Sequence, residues 1–324
     1  MIPPDLMKEE IPCHTAEELL REMSPTTGRL WADGRDRGLG EREWMFRGLP
    51  QADFALRPSA FRKDAFAPFR PGQHQFLIQT AKEQRDIEDH ILTQFCTNAD
   101  RREIAIPADR PELRDPRCTI PDYDPHEFPP INKLHMFALA QHYGVPTRLL
   151  DWSRHPLVAA YFAVRDVAQA RTRRPGIWAT DGNSPCAVWA VDQGFIRAMI
   201  SEARKVPSID PVVYMVTAPY ATNPNLAAQG GLFTLVQHRT GDPHPILDVD
   251  AALLGMADKV PPDWERWMPI LVKFVLPETE ARVALRLLHA EGISAAAVKP
   301  GLAGVVEATK ESWSYQWAPV GRRN

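Results

Sequence analysis

The run from Gln141 to Ala163 constrains this chain more than any other stretch. Asn132 to Tyr143 reads as a helix, with Leu134, Phe137, Ala138 and Gln141 at helical spacing, and Gly144 stands just past its end. Val145-Pro146 blocks continuation. Thr147 to Trp152 reads as a buried strand, and Ser153, with Pro156 in the first turn, opens another helix whose stripe is Leu157, Ala160, Tyr161, Val164 and Ala168. Helical spacing places Tyr161 in the core. Gln141, His142, Thr147, Arg148, Asp151 and Ser153 therefore sit among apolar neighbours, where a charge is costly unless paired. Two accounts stand: Arg148 and Asp151 pair with each other and fix the strand between two helices, or the polar set lines a pocket.

The rest of the chain supplies elements of both kinds. Thr15-x-x-Glu18 caps a first helix, closed by Pro25 and Gly28. Residues 43 to 49 read as a short strand with Trp44 and Phe46 on one face and Arg47 on the other. Gly48 there allows another backbone to approach closely. His74 to Phe95 forms a long amphipathic helix, and residues 98–130, rich in proline and charge, form an irregular insertion. Further strands are expected at Gly176 to Ala179, Cys186 to Val191, Val212 to Thr217, Leu232 to Gln237 and Ile270 to Leu276. Pro277 opens a helix running to Gly292, and a last helix covers Leu302 to Lys310. Strands and helices do not alternate steadily, which predicts an α+β fold with a mixed or mainly antiparallel sheet flanked by helices. Three segments are expected: residues 1–43, N-terminal and helical; 44–306, one domain containing the insertion; and 307–324, a C-terminal tail.

Composition narrows the function classes. The net charge of −3 argues against a face that neutralises bulk duplex nucleic acid. Four scattered cysteines, Cys13, Cys96, Cys118 and Cys186, suggest neither a zinc site nor a disulfide framework, and His74, His90 and His135 show no ligand spacing, so no metal is expected. No leader pattern and no run of apolar residues long enough to span a bilayer is present, which places the protein in the cytoplasm, away from membranes. Arg165 to Arg174, with four arginines, reads as a solvated loop. P-loop, serine-hydrolase and zinc-protease motifs are absent.

Phe46-Arg47-Gly48, followed by Leu56-Arg57-Pro58-Ser59-Ala60-Phe61 and then by Ala140-Gln141-His142-Tyr143-Gly144-Val145-Pro146-Thr147-Arg148-Leu149-Leu150-Asp151-Trp152-Ser153, resembles the FRG domain family. The likeness extends from about Trp44 to Val306 through Ala228-Gln229-Gly230-Gly231 and Pro300-Gly301-Leu302. Gly301 stands where the family usually has an acidic or serine residue. The resemblance makes a setting in bacterial defence or a toxin-antitoxin pair plausible.

Aromatic-Arg-Gly is also similar to the first motif of the arginine-serine-glutamate class of ADP-ribosyltransferases. That likeness implies an ADP-ribosyltransferase-like fold and an NAD-handling enzyme, a transferase or NAD hydrolase, whose acceptor is a nucleotide or macromolecule. A rigid guanidinium fork at Arg47 suits a diphosphate, and Gly48 would let the ligand near the backbone. Trp152 would stack on nicotinamide. Ser153 would supply the hydroxyl, Arg57 and Ser59 further phosphate contacts, and Thr147 and Arg148 a pocket wall. His142 and Tyr143 either meet their helix end or close over the nucleotide. For the third element, Gln229 has the placement but cannot ionise, which leaves Asp151, or more remotely Glu307, as the acid. The alternative to an enzyme is a non-catalytic module recognising a nucleotide, a nucleic-acid end or a protein tail.

Overall fold

The local signals build the expected alternation of element types, and the chain assembles them in an order no local signal carries. A computed structural model of the protein describes residues 3–31, 42–69, 80–106, 128–173, 184–238, 248–260, 264 and 267–316. Its strands are β1 (Lys8–Pro12), β2 (Trp44–Leu49), β3 (Leu149–Ser153), β4 (Cys186–Asp192), β5 (Val212–Val216), β6 (Gly231–Gln237) and β7 (Leu271–Leu276). Its helices are α1 (Pro4–Met7), α2 (Ala16–Glu22), α3 (Ala81–Asp100), α4 (Leu134–His142), α5 (Pro156–Arg173), α6 (Gln193–Ala203), α7 (Pro224–Ala228), α8 (Val249–Ala257), α9 (Ala281–Ala290), α10 (Ala295–Val298) and α11 (Leu302–Gln316).

Seven strands form one open sheet in the order β1-β7-β4-β2-β3-β6-β5, and every neighbouring pair is antiparallel except β1 with β7. The fold is α+β with a mostly antiparallel sheet, as the mixture of elements predicts. Several readings need correction. The long helix begins at Ala81 because Thr80 and Glu83 form a reciprocal capping box, and it runs on to Asp100, into the stretch read as irregular. The segment read as N-terminal and helical also supplies β1, which pairs with β7 over five residues. The arginine run read as a loop belongs in its described part to α5, which continues to Arg173. Asp192 starts α6 by accepting from the Phe195 amide at 2.9 Å, a cap that sequence reading passed over. The strand expected at 176–179, positions 74–79 of the long helix and most of the insertion lie outside the described residues.

The two sheet faces are covered differently. One carries Met45, Leu49, Leu150, Trp152, Trp189 and Val191 and packs against α6 and α8. The other is covered in two parts. Trp44, Phe46, Val188 and Phe274 lie under α2, α5 and α9, whereas Leu149, Phe233 and Leu235 lie under α3 and α4. These two clusters share no residue, and the sheet is weakest beneath their junction, since β2 and β3 pair only at Phe46 with Ser153. Among the described residues, no helix is long and apolar enough to cross a membrane.

Candidate functional site

Where β2 and β3 diverge, Arg47 spans the gap. Strand alternation sends its side chain away from Phe46, and its Nη1 donates to both the carboxylate Oδ1 and the backbone carbonyl of Asp151, each at 2.7 Å. That carbonyl lies on β3 at a position that β2 does not pair, so the guanidinium stands in for a missing ladder bond. The Arg47 side chain is only 11% exposed, and its Nε is buried without a hydrogen-bond partner.

Asp151 is the hub of a longer chain of bonds. Its Oδ1 also accepts from Gln141 Nε2 at 3.2 Å, Gln141 Oε1 accepts from Thr147 Oγ1 at 2.6 Å, and the Thr147 amide donates to Ser59 Oγ at 3.0 Å. Residues read as separate candidates are thus one network that fixes a carboxylate. Atoms crowding Asp151 push its pKa up, but the charge and hydrogen bond of Arg47, with Arg62 adding to them, outweigh this and hold the carboxyl below its ordinary range. The carboxylate is open to the cavity, with 61% of its side chain exposed.

Over this network lies a cavity of about 480 Å³, walled by Arg62 on one side, Gln141, His142 and Gly144 to Pro146 at the end of α4, Phe162, Arg165 and Asp166 of α5, Asn225, Leu226 and Gln229 near α7, and Lys299. Among the described residues four cationic side chains line it, Arg47, Arg62, Arg165 and Lys299, against two acids, Asp151 and Asp166. Arg165 pairs with Asp166 at 3.1 Å and Lys299 with Glu307 at 2.9 Å. His142 accepts from Asn225 Nδ2 at 2.8 Å through Nε2, and burial pushes its pKa down, which favours the neutral ring.

The structure reassigns several expected site residues. Arg148 does not pair with Asp151. Its Nε and Nη2 donate to Glu88 of α3 at 3.0 and 2.9 Å, and its guanidinium lies 4.4 Å from the Phe128 ring, buried outside the cavity lining. Arg57 is held in a two-point pair by Asp248 at 2.7 and 2.9 Å and does not line the cavity either. Tyr143 is 69% exposed, and its ring meets that of His142 edge-on. Trp152 is among the residues lining the cavity, but it is 3% exposed and its side chain belongs to the core of the opposite sheet face, where its Nε1 donates to Thr234 Oγ1 at 2.9 Å. Ser153 is buried, and its hydroxyl serves the turn into α5, donating toward Gln229 O at 2.7 Å and accepting from the His155 amide at 2.8 Å. Gln229 lines the cavity with Nε2 bonded to Val298 O at 3.0 Å.

Gly48 serves packing, as the close backbone approach at this position predicts. A Cβ there would lie 1.9 Å from the Ala159 carbonyl and 2.5 Å from the Ala163 amide of α5. The ligand-approach role is correspondingly overtaken by the helix. Sequence reading missed Arg62, Phe162, Asn225, Asp166 and Lys299 as lining residues, although Phe162 lay in the Gln141 to Ala163 run and Arg165 and Asp166 in the arginine run. Tyr161 is fully buried, as its helical spacing predicts, with its hydroxyl on Glu311 at 2.5 Å.

Compared with models of known families, residues 42–172 match the FRG domain. No curated protein and no solved structure matches the chain.

Proposed function

The chain carries an FRG domain over residues 42–172, and from that premise we propose that its pocket binds a phosphorylated nucleotide, read as NAD, in the manner of an ADP-ribosyltransferase. One observation carries the reading. The carboxylate of Asp151 is fixed by Arg47 and Gln141 in a cavity whose other charges are mostly cationic. Cations draw a diphosphate in, and a fixed carboxylate suits a ligand that develops positive charge as it reacts.

The cavity volume falls within the roughly 300–1,000 Å³ common for small-molecule sites. Phe162 takes over the aromatic role expected of Trp152, because it is the ring that lines the cavity from α5 beside Arg165. NAD would contribute a glycosidic bond to nicotinamide, whose cleavage leaves electron deficiency on the ribose carbon. Asp151 is the acid in place for that charge, and Glu307, occupied by Lys299, is not among the lining residues. His142, kept neutral by burial and with its Nε2 accepting from Asn225, contributes to the pocket wall and is not a base.

Nicotinamide release from NAD, followed by chromatography, tests this reading. Turnover that falls at least about a hundredfold in Asp151→Asn, the order of effect of one electrostatic group at a developing charge, supports the enzyme. Binding without any turnover favours the second reading, a recognition module. That reading draws on the non-ionisable Gln229 at the place where a transferase of this class uses a glutamate.

A further inference from the structure

The cations around the cavity differ in what remains of their hydrogen-bonding capacity. Arg47 has both hydrogens of Nη1 committed to Asp151. Arg165 faces Asp166, and Lys299 donates to both oxygens of Glu307 at 3.2 and 2.9 Å. Arg57, five residues before Arg62, is matched by Asp248. Arg62 alone among the lining cations makes no ion pair with a described residue, and its Nε is occupied by the Arg57 carbonyl at 3.1 Å.

The segment presenting Arg62 is anchored. Arg62 follows the 3-10 turn Ser59–Phe61, whose Ala60 amide donates to Thr147 O at 3.0 Å and whose Ser59 hydroxyl accepts from the Thr147 amide. The same Thr147 holds Gln141, which holds Asp151, so the loop bearing Arg62 and the strand bearing the carboxylate share one support.

We propose that Arg62, not Arg47, is the anion anchor of this pocket, that it takes a phosphate or diphosphate group, and that Arg47 is a positioning residue for Asp151. The proposal rests in part on the nucleotide reading, but it concerns the anion alone. Burial and then the neighbouring charge of Arg47 disfavour the cationic form of Arg62, the charge of Asp151 offsets them only in part, and a bound anion would add to that offset. A terminal guanidinium whose Nη groups bond no described residue matches two oxygens of one phosphate.

Isothermal titration with inorganic diphosphate, ADP and NAD on the wild type, Arg62→Gln and Arg62→Lys tests this. The wild type binds diphosphate. Arg62→Gln loses about tenfold or more of that affinity, the order expected for one charged hydrogen-bonding group, and Arg62→Lys falls between because it keeps the charge and loses the fork. Arg62 sits on the surface side of its loop, and equal melting temperatures of the ligand-free proteins establish that the substitutions leave the fold intact. Diphosphate binding that Arg62→Gln leaves unchanged overturns the proposal, as does a wild type that binds none of the three probes. Loss of diphosphate binding in Arg62→Gln with no NAD binding in the wild type keeps the anchor and rejects NAD. NAD binding indifferent to Arg62 keeps NAD and rejects the anchor.

Discussion

Arg148 and Glu88 meet across 60 positions of sequence, both buried, with Gln84 Nε2 donating to the same carboxylate at 2.7 Å. Removing one partner of such a pair leaves a charge in the interior, so Arg148→Met is expected to cost about 3–5 kcal/mol in denaturant unfolding. Asp151→Asn is expected to cost much less, because its carboxylate reaches solvent through the cavity. The depressed pKa of Asp151 stabilises the fold fully above the ordinary value of 3.8 and ceases to do so as pH falls through the lower folded-state value. The acid limb of a plot of Tm against pH should therefore be shallower in Asp151→Asn than in the wild type. Cys13 and Cys186, pushed up to about 11 and about 12 by burial, should resist alkylation at pH 8 in the folded protein. That Arg148 is a costly buried charge in need of a partner is legible in the sequence, whereas the openness of Asp151 to the cavity is not. Which partners the two take is not legible either, because Glu88 sits on a distant helix and Arg47 on a strand whose neighbour is set by the whole sheet.

Element ends were the more readable features where a cap or breaker is strictly local. Thr15 with Glu18, Gly144 at φ +90 and Pro156 each mark a boundary the chain respects, whereas the Thr80 and Glu83 cap was passed over. β1 and α6 escaped notice because five residues of mixed polarity pair only once β7 is in place, and because the Asp192 cap directly follows a strand. At this scale the close contact of β2 with α5 is decisive. Gly48→Ala places a methyl group against the Ala159 carbonyl and is expected to destabilise by roughly 1–3 kcal/mol or more, read from the denaturation midpoint. α11 is held by Glu311, which accepts from Tyr161, His289 Nε2 at 3.0 Å and the Ala295 amide at 3.1 Å. Glu311→Ala strands these donors and should loosen α11 against α5 and α9, seen as faster amide exchange in that helix.

For the molecule as a whole, sheet order dictates where the pocket lies. β2 and β3 are next to each other yet joined by a single residue pair, so each depends on an outer neighbour, β4 and β6 respectively. Both of those strands lie beyond the residues that match the FRG domain. A fragment of residues 42–172 should accordingly lack a cooperative thermal transition by circular dichroism, whereas the full chain shows one. The polar stretch between α4 and α5 announces a site, and the gap between two helical covers of one sheet face supplies its depth, a property of assembly that no segment carries alone. The central claim is that this gap holds a nucleotide against Asp151 and its cationic surroundings. Thermal unfolding of the full chain with and without millimolar NAD tests it most directly: the account predicts a rise in Tm that grows with ligand, about 2.7 kcal/mol of added stability at a hundredfold excess over Kd, and an unchanged Tm would contradict it.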